Sequence, residues 1–159
     1  MFLKTFSSAV KNDFVQFLFL LILLLVSAAA EELLPVFGGV GFPLLLAAVM
    51  AVSPRQRILA AVFTAVGAGA LEDALAALPP LASIGFFTFA ALTARKRDFP
   101  QPALIVLFPL YTLWAGMCAA GSMGDVFWRM LVSLPFGAAA FAVSDRLSAW
   151  GAGKAGLDG

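Results

Sequence analysis

The chain contains no histidine and only one cysteine, Cys118. Without histidine, it lacks the commonest general base of enzymes and the usual zinc ligand. A single cysteine can form neither an internal disulfide nor a cysteine-ligated metal cluster, so Cys118 is interpreted as a small packing residue in an apolar run. These absences predict a protein with no bound metal and no cofactor.

Charged residues are also scarce. They make up 12% of the chain, against about a quarter of a typical soluble domain. Hydrophobic residues make up 62% of the chain, and its mean hydropathy is +1.00. This composition predicts an all-α integral membrane protein, and the net charge of +1 gives no indication of a nucleic-acid partner. A spanning helix needs about 20 residues, so the 159 residues fit one domain of about six spans.

Six apolar segments support that number of spans. They cover residues 14–30, 33–52, 58–71 or 58–78, 81–94, 103–120 and 126–143. Residues 1–13 have one apolar and one polar face, which is typical of a short helix lying on the membrane surface. The first 30 residues also resemble a cleavable signal peptide, but the pattern of basic residues fits better with this segment kept. We therefore predict one domain over residues 1–159, with a bundle over 14–147 and a flexible cytoplasmic tail over 148–159.

Several of these segments are irregular. Pro43 suits the first turn of a helix, and the ten residues from there to Val52 rise only about 15 Å. That segment is either a longer kinked helix or a half-span packed inside protein. The third segment is predicted to break near Glu72 and Asp73, and Pro109 is predicted to kink the fifth.

Basic residues predict the orientation. Nine of the ten fall at the two termini and in the turns at 53–57 and 95–102. Short loops with such an excess face the cytoplasm, so the chain is predicted to cross a membrane six times with both ends in the cytoplasm. Arg129 and the carboxylates Glu31, Glu32, Glu72, Asp73 and Asp125 then fall toward the outside. The cluster from Arg95 to Arg97 is interpreted as a topology determinant, with contact to anionic lipid or to a cytoplasmic filament as the alternatives.

The spacing Gly67-x-Gly69-x-x-x-Asp73-x-x-x-x-x-Pro79, followed by an apolar helix and a basic turn, resembles the rod shape-determining protein MreD family. The stretch from Val126 to Leu147 is similar to the last helix of that family and its basic exit. The resemblance covers roughly residues 14–147. This chain has alanine at positions 76 and 77, where the family often has a glycine.

The resemblance implies a non-enzymatic scaffold of the bacterial wall-elongation complex that regulates cell shape. It therefore also implies a multi-pass location in the bacterial inner (cytoplasmic) membrane. It implies as partners an MreC-like membrane-anchored protein, other cell-wall elongation proteins and the lipid bilayer. The fold is expected to be similar to the substrate-binding subunits of energy-coupling-factor vitamin transporters. Such a transporter subunit is the alternative function.

The candidate binding residues are Glu72, Asp73, Gly69 and Pro79. Adjacent carboxylates point about 100° apart on a helix, so joint grip of one small cation is not expected without a backbone break. Asp73, which matches the aspartate of the family, is expected at a helix break, covered from lipid, accepting hydrogen bonds from backbone N–H groups or a neighbouring helix. Glu72 is expected to matter less. Gly69 belongs to a small-residue face of the third helix that packs internally or against a partner helix.

Three aromatic residues, Tyr111, Trp114 and Trp128, lie toward the predicted outer ends of the last two spans. Their position favours anchoring at the membrane interface. A pocket that stacks a vitamin is the alternative.

Overall fold

The computed structural model describes residues 18, 21–30, 33, 43–96, 101–119 and 123–154, and the regular elements in these ranges are all helical. This confirms the all-α prediction for that part of the chain. The predicted surface helix at 1–13 lies outside it, as do Glu31, Glu32 and Arg97. The elements are α1 (Leu21–Ala30), α2 (Leu44–Val52) with a 3₁₀ turn (Ser53–Arg55), α3 (Ile58–Leu75), α4 (Ala82–Ala94), α5 (Gln101–Leu104), α6 (Leu107–Cys118) and α7 (Met123–Lys154).

Helix α2 is the centre of the fold. All of its residues except Leu44 are buried, and it packs against α3, α4 and α7. Pro43 immediately precedes it as the N-cap, where the missing proline N–H costs nothing. Nine residues rise only about 13 Å. The described residues thus agree with a short helix packed inside protein, because the other helices of the bundle cover its backbone and side chains.

The tightest helix pair is α3 with α4. A methyl group added to Gly69 would lie 2.6 Å from Cα and 2.8 Å from N of Ile84. These are main-chain atoms, so the two backbones touch at this point and only glycine fits. The small-residue face of α3 is buried at Ala61, Ala65, Ala68 and Gly69, which is the internal packing that we expected as one of two possibilities.

The predicted fifth and sixth spans differ from the structure. Pro109 was expected to kink one helix over 103–120, but the chain forms two helices separated at residues 105–106. Pro109 lies in the first turn of α6, where its missing N–H has no intrahelical partner to lose. Helix α7 is longer than the predicted 126–143 and continues to Lys154. Residues 148–154 are therefore helical rather than part of a flexible tail.

Two helices of the described part are long and apolar enough to cross a membrane, judged by length and composition alone: α3 and the portion Met123–Trp150 of α7. Only 33% and 22% of their apolar windows are buried inside the protein, so most of their apolar side chains face outward. Four other apolar helices are shorter. Exposed large apolar side chains occur on α1, α3, α4, α6 and α7, whereas soluble monomers rarely expose extensive apolar patches.

Charged groups collect at the two ends of the bundle. At one end, Arg55 Nη1 lies 2.8 Å from Asp145 Oδ1, and Arg95 donates to the carbonyl oxygens of Ser53 and Gln56. These contacts bring the α2–α3 turn, the end of α4 and the later part of α7 together. Glu72 lies in the last turn of α3, about 20 Å along that helix from this basic end.

Candidate functional site

The candidate site is the joint at which α3 ends and α4 begins. Helix α3 ends at Leu75, two residues after Asp73. Its end is closed by a hydrogen bond from the Leu78 N–H to the Asp73 carbonyl at 3.0 Å, the long bond of a Schellman motif. Ala77 has a φ of 50° there, in the position where glycine is usual. The predicted break near the acid pair is thus confirmed.

Asp73 joins the two helices. Its Oδ1 accepts a hydrogen bond from the backbone N–H of Ser83 at 2.7 Å. Helix α4 has no side-chain cap from its own N-cap residue, Leu81, so Asp73 satisfies a free donor of that helix from outside it. The residue is 8% exposed. The predicted geometry of Asp73, covered and bonded to a neighbouring helix, is confirmed.

The second carboxylate oxygen of Asp73 is in a different situation. Oδ2 is buried and has no hydrogen-bond partner among the described residues. A buried polar atom without a partner costs free energy. The carboxylate therefore caps α4 with one oxygen only.

Glu72 belongs to the same network through a tyrosine. The Tyr111 hydroxyl donates to Glu72 Oε1 at 2.9 Å and lies 2.9 Å from Ser83 Oγ. Because the phenol has one proton, and Glu72 receives it, the Ser83 hydroxyl is the donor in the second contact. Both carboxylates thus reach Ser83, Asp73 directly and Glu72 through Tyr111. Although Glu72 and Asp73 are adjacent on the helix and point in different directions, both belong to one hydrogen-bond network.

Two of the three aromatic residues hold α6 against α4. Tyr111 is only 5% exposed, and its ring packs against Phe86 and Phe87. The prediction that Tyr111 anchors the protein at a membrane interface is therefore wrong. Trp114 is 46% exposed but donates its indole N–H to the Ala82 carbonyl at 2.7 Å. Trp128 is exposed and lies on α7.

The other two candidate residues have distinct positions. Gly69 lies one turn before Asp73 and provides the close approach of α3 to α4. Pro79 is exposed in the turn between the helices, and its carbonyl accepts the Ala82 N–H at 3.1 Å.

Tyr111 and Ser83 were not predicted from the sequence as partners of the acid pair. The available signal was that Tyr111 is the only tyrosine of the chain, and a phenol in an apolar run needs a partner.

The polar groups of the network bond one another across three helices. Within the described residues, no three side chains of histidine, cysteine, aspartate or glutamate lie together as metal ligands. The hydroxyls of Ser83 and Tyr111 bond each other, and that of Tyr111 also bonds Glu72. The arrangement ties together α3, α4 and α6.

An apolar cleft lies elsewhere in the fold. Its volume is about 270 Å³, and it is lined by residues of α1, α2 and α7, among them Leu23, Val26, Ala140 and Val143. Ser27 and Ser144 are its polar lining residues. The cleft shares no residue with the acid pair.

Comparisons of the chain with protein-family models, with curated proteins and with solved structures find no match. The functional conclusion therefore rests on the residues described above.

Proposed function

We propose that this protein is a non-enzymatic membrane scaffold of the MreD type, acting in the bacterial wall-elongation complex. The observation that carries the proposal is the α3–α4 joint. Gly69 and Asp73, two residues that give the sequence its resemblance to MreD, are the residues that join α3 to α4. The motif therefore has a mechanical role in this fold.

The proposed setting is the cytoplasmic membrane, crossed six times with both ends inside. Outward-facing apolar side chains on five helices support a lipid environment. The separation of Arg55 and Arg95 from Glu72 and Asp73, at opposite ends of α3, supports the proposed orientation. A short helix such as α2 fits this setting because its backbone is buried in protein rather than exposed to lipid.

A scaffolding role is supported by the way in which the polar groups at the joint are bonded to one another. The carboxylates and hydroxyls at the joint serve to connect helices, and the chain has no histidine to activate a nucleophile. The turn that they hold is open to contact. Leu75, Pro79 and Leu81 are exposed there, and we propose that this turn binds an MreC-like membrane-anchored partner. Asp73 then acts as a positioning residue for the turn.

Co-purification in mild detergent tests this role. Asp73→Ala removes the acceptor for Ser83 N–H and should lower recovery of the partner at matched membrane levels. Asp73→Asn keeps an acceptor oxygen and should retain most of the recovery. Asp145→Ala removes a carboxylate and its ion pair with Arg55 at the opposite end. It is the control, and at matched membrane levels it should leave recovery of the partner unchanged. Equal recovery with Asp73→Ala would contradict the proposed contact.

Depletion of the protein tests the biological role. Rod-shaped host cells should become round, and unchanged shape with unchanged wall insertion would contradict a role in elongation.

The second candidate function is a substrate-binding subunit of an energy-coupling-factor type transporter. One observation favours it: Trp114 and Glu72 place an aromatic ring and a carboxylate at the same joint. Binding of a vitamin would raise the melting temperature of the purified protein, whereas the scaffold should show no such shift.

A further inference from the structure

The basic side chains at this end of the bundle fall into two groups, those bonded within the protein and those that are exposed. Arg55 and Arg95 are used inside the protein. Arg55 Nη1 contacts Asp145 Oδ1, Ser148 Oγ and the Ala51 carbonyl at 2.6–2.8 Å. Arg95 donates to carbonyl oxygens of the α2–α3 turn. These two guanidinium groups hold helix ends together, so the alternative role of the cluster, contact with anionic lipid or a cytoplasmic filament, does not agree with the contacts of Arg95.

The other cations of this end are available. Arg57, Lys96 and Arg146 are exposed, and none of their side chains has a hydrogen bond or ion pair with the described residues. Asp145 is the carboxylate found among the described residues at this end, and it already pairs with Arg55. Among the described residues of this end, exposed cations therefore outnumber carboxylates, and this surface can compensate an anion.

The neighbours of these cations indicate which anion. Arg57 directly precedes the exposed residues Ile58 and Leu59 of α3. Arg146 lies on α7 beside an exposed apolar stripe formed by Val143, Leu147 and Trp150, which are spaced so as to share one helix face.

Cations at the border of an apolar band, next to an exposed tryptophan, are placed where the phosphate groups of a bilayer lie. A surface that binds an acidic cytoplasmic protein would instead have cations that project into the cytoplasm, beyond the apolar band.

We propose that Arg57, Lys96 and Arg146 form a binding surface for the headgroups of anionic phospholipids in the cytoplasmic leaflet. The recognised chemistry is the phosphate of a lipid whose chains lie along α3 and α7. This inference depends on the membrane setting and is independent of the partner proposed above. Each cation of such a surface contributes about fivefold in affinity at low salt, and the attraction weakens as ionic strength rises.

The test uses the full-length protein in neutral detergent, titrated with short-chain phosphatidylglycerol or with phosphatidylcholine. The readout is the lipid concentration that half-saturates the rise in melting temperature. The variants are Arg57→Gln, Lys96→Gln, Arg146→Gln and their combination. Arg129→Gln is the matched control, because Arg129 is also exposed but lies in the second turn of α7, away from this end. Inorganic phosphate at the same concentrations distinguishes a lipid from a free anion.

The wild type should prefer phosphatidylglycerol, each single variant should weaken that preference about fivefold, and the triple variant should lose it. Arg57→Lys should restore most of it, and Arg129→Gln should leave it unchanged. If the triple variant does not fold, the single variants decide the question. An unchanged preference in the variants, an equal loss with Arg129→Gln, or an equal shift with inorganic phosphate would overturn the proposal. Capture of an acidic protein by this surface, with lipid preference unaltered by the substitutions, would also overturn it.

Discussion

The carboxylate of Asp73 accepts the backbone N–H of Ser83 at 2.7 Å, so the last turn of α3 caps the first turn of α4. Helix caps are usually supplied by the residue that begins the helix, but Leu81 has no polar side chain and a φ of 73°. The cap therefore comes from ten residues earlier in the chain. This arrangement makes the α3–α4 turn depend on one carboxylate oxygen.

The first prediction concerns that oxygen. Asp73→Ala should lower the free energy of unfolding by about 1–2 kcal/mol, because the Ser83 N–H loses its acceptor. Asp73→Asn should cost less, since an amide oxygen can accept the same bond, while the amide NH2 replaces an oxygen that already lacks a partner among the described residues. Denaturant unfolding in mild detergent measures the difference. If the two variants were equally destabilised, the charge of Asp73 rather than its cap would be the stabilising feature.

The second prediction compares two glycines of α3. Gly69→Ala should destabilise the protein by about 1–3 kcal/mol, because the new methyl group meets the main chain of Ile84 and backbone atoms cannot rotate away. Gly67→Ala should instead stabilise it by about 0.5–1 kcal/mol, since the space around Gly67 is open and alanine favours the helix. Thermal melting of the two variants side by side is the measurement. A harmless Gly69→Ala would show that α3 and α4 do not approach this closely.

The third prediction concerns the hydroxyl that links the acid pair to α6. Tyr111→Phe keeps the ring contacts with Phe86 and Phe87 but removes the hydrogen bonds to Glu72 and Ser83. A loss of about 1–3 kcal/mol is expected, because buried polar atoms lose a partner.

The control for that variant is Thr112→Val in the next position of α6. The Thr112 hydroxyl bonds only the Phe108 carbonyl of its own helix in the described contacts, so its removal should cost clearly less. Combining Tyr111→Phe with Glu72→Ala should give a smaller loss than the sum of the single losses, since both remove the hydrogen bond between Tyr111 and Glu72. Additive losses would mean that the two residues do not interact.

The fourth prediction tests the orientation of the bundle. Cys118 is the only cysteine, so Cys118→Ala gives a background in which single cysteines can be placed at either end. Met123→Cys, at the start of α7, should react with a membrane-impermeant maleimide added outside intact spheroplasts. Lys96→Cys, after the end of α4, should react only once the membrane is opened, because basic ends face the cytoplasm. Labelling of Lys96→Cys from outside would reverse the proposed topology.

Some of the candidate site could be predicted from the sequence because the relevant physics is local. Two adjacent carboxylates followed by Pro79 and Pro80 conflict with a continuous apolar helix, so a break near Asp73 follows from the residues alone. The small residues before Asp73 likewise predict a closely packed helix face, which the structure shows at Gly69. The exact end of α3, at Leu75 rather than at 71 or 78, could not be predicted. The helix is closed by the hydrogen bond from Leu78 N–H to the Asp73 carbonyl and by Ala77 in an αL conformation, which alanine does not favour.

The partners of the carboxylates depended on distant parts of the chain. Tyr111 is 39 positions from Glu72, and nothing in its neighbourhood distinguishes a buried tyrosine from one at a membrane interface. Pro109 shows the same limit, since a proline can kink a helix or begin one, and its place in the first turn of α6 was settled by packing.

The amino-acid sequence by itself determined the helical, strongly apolar character of the protein, the concentration of basic residues in alternate turns and the break beside Asp73. These properties follow from composition and from short-range steric and solvation effects. The tertiary structure decided which polar groups meet: Asp73 with the start of α4, Glu72 with Tyr111, and Arg55 with Asp145. Such contacts depend on how the helices pack around α2, and helix packing is set by side chains that are far apart in the chain.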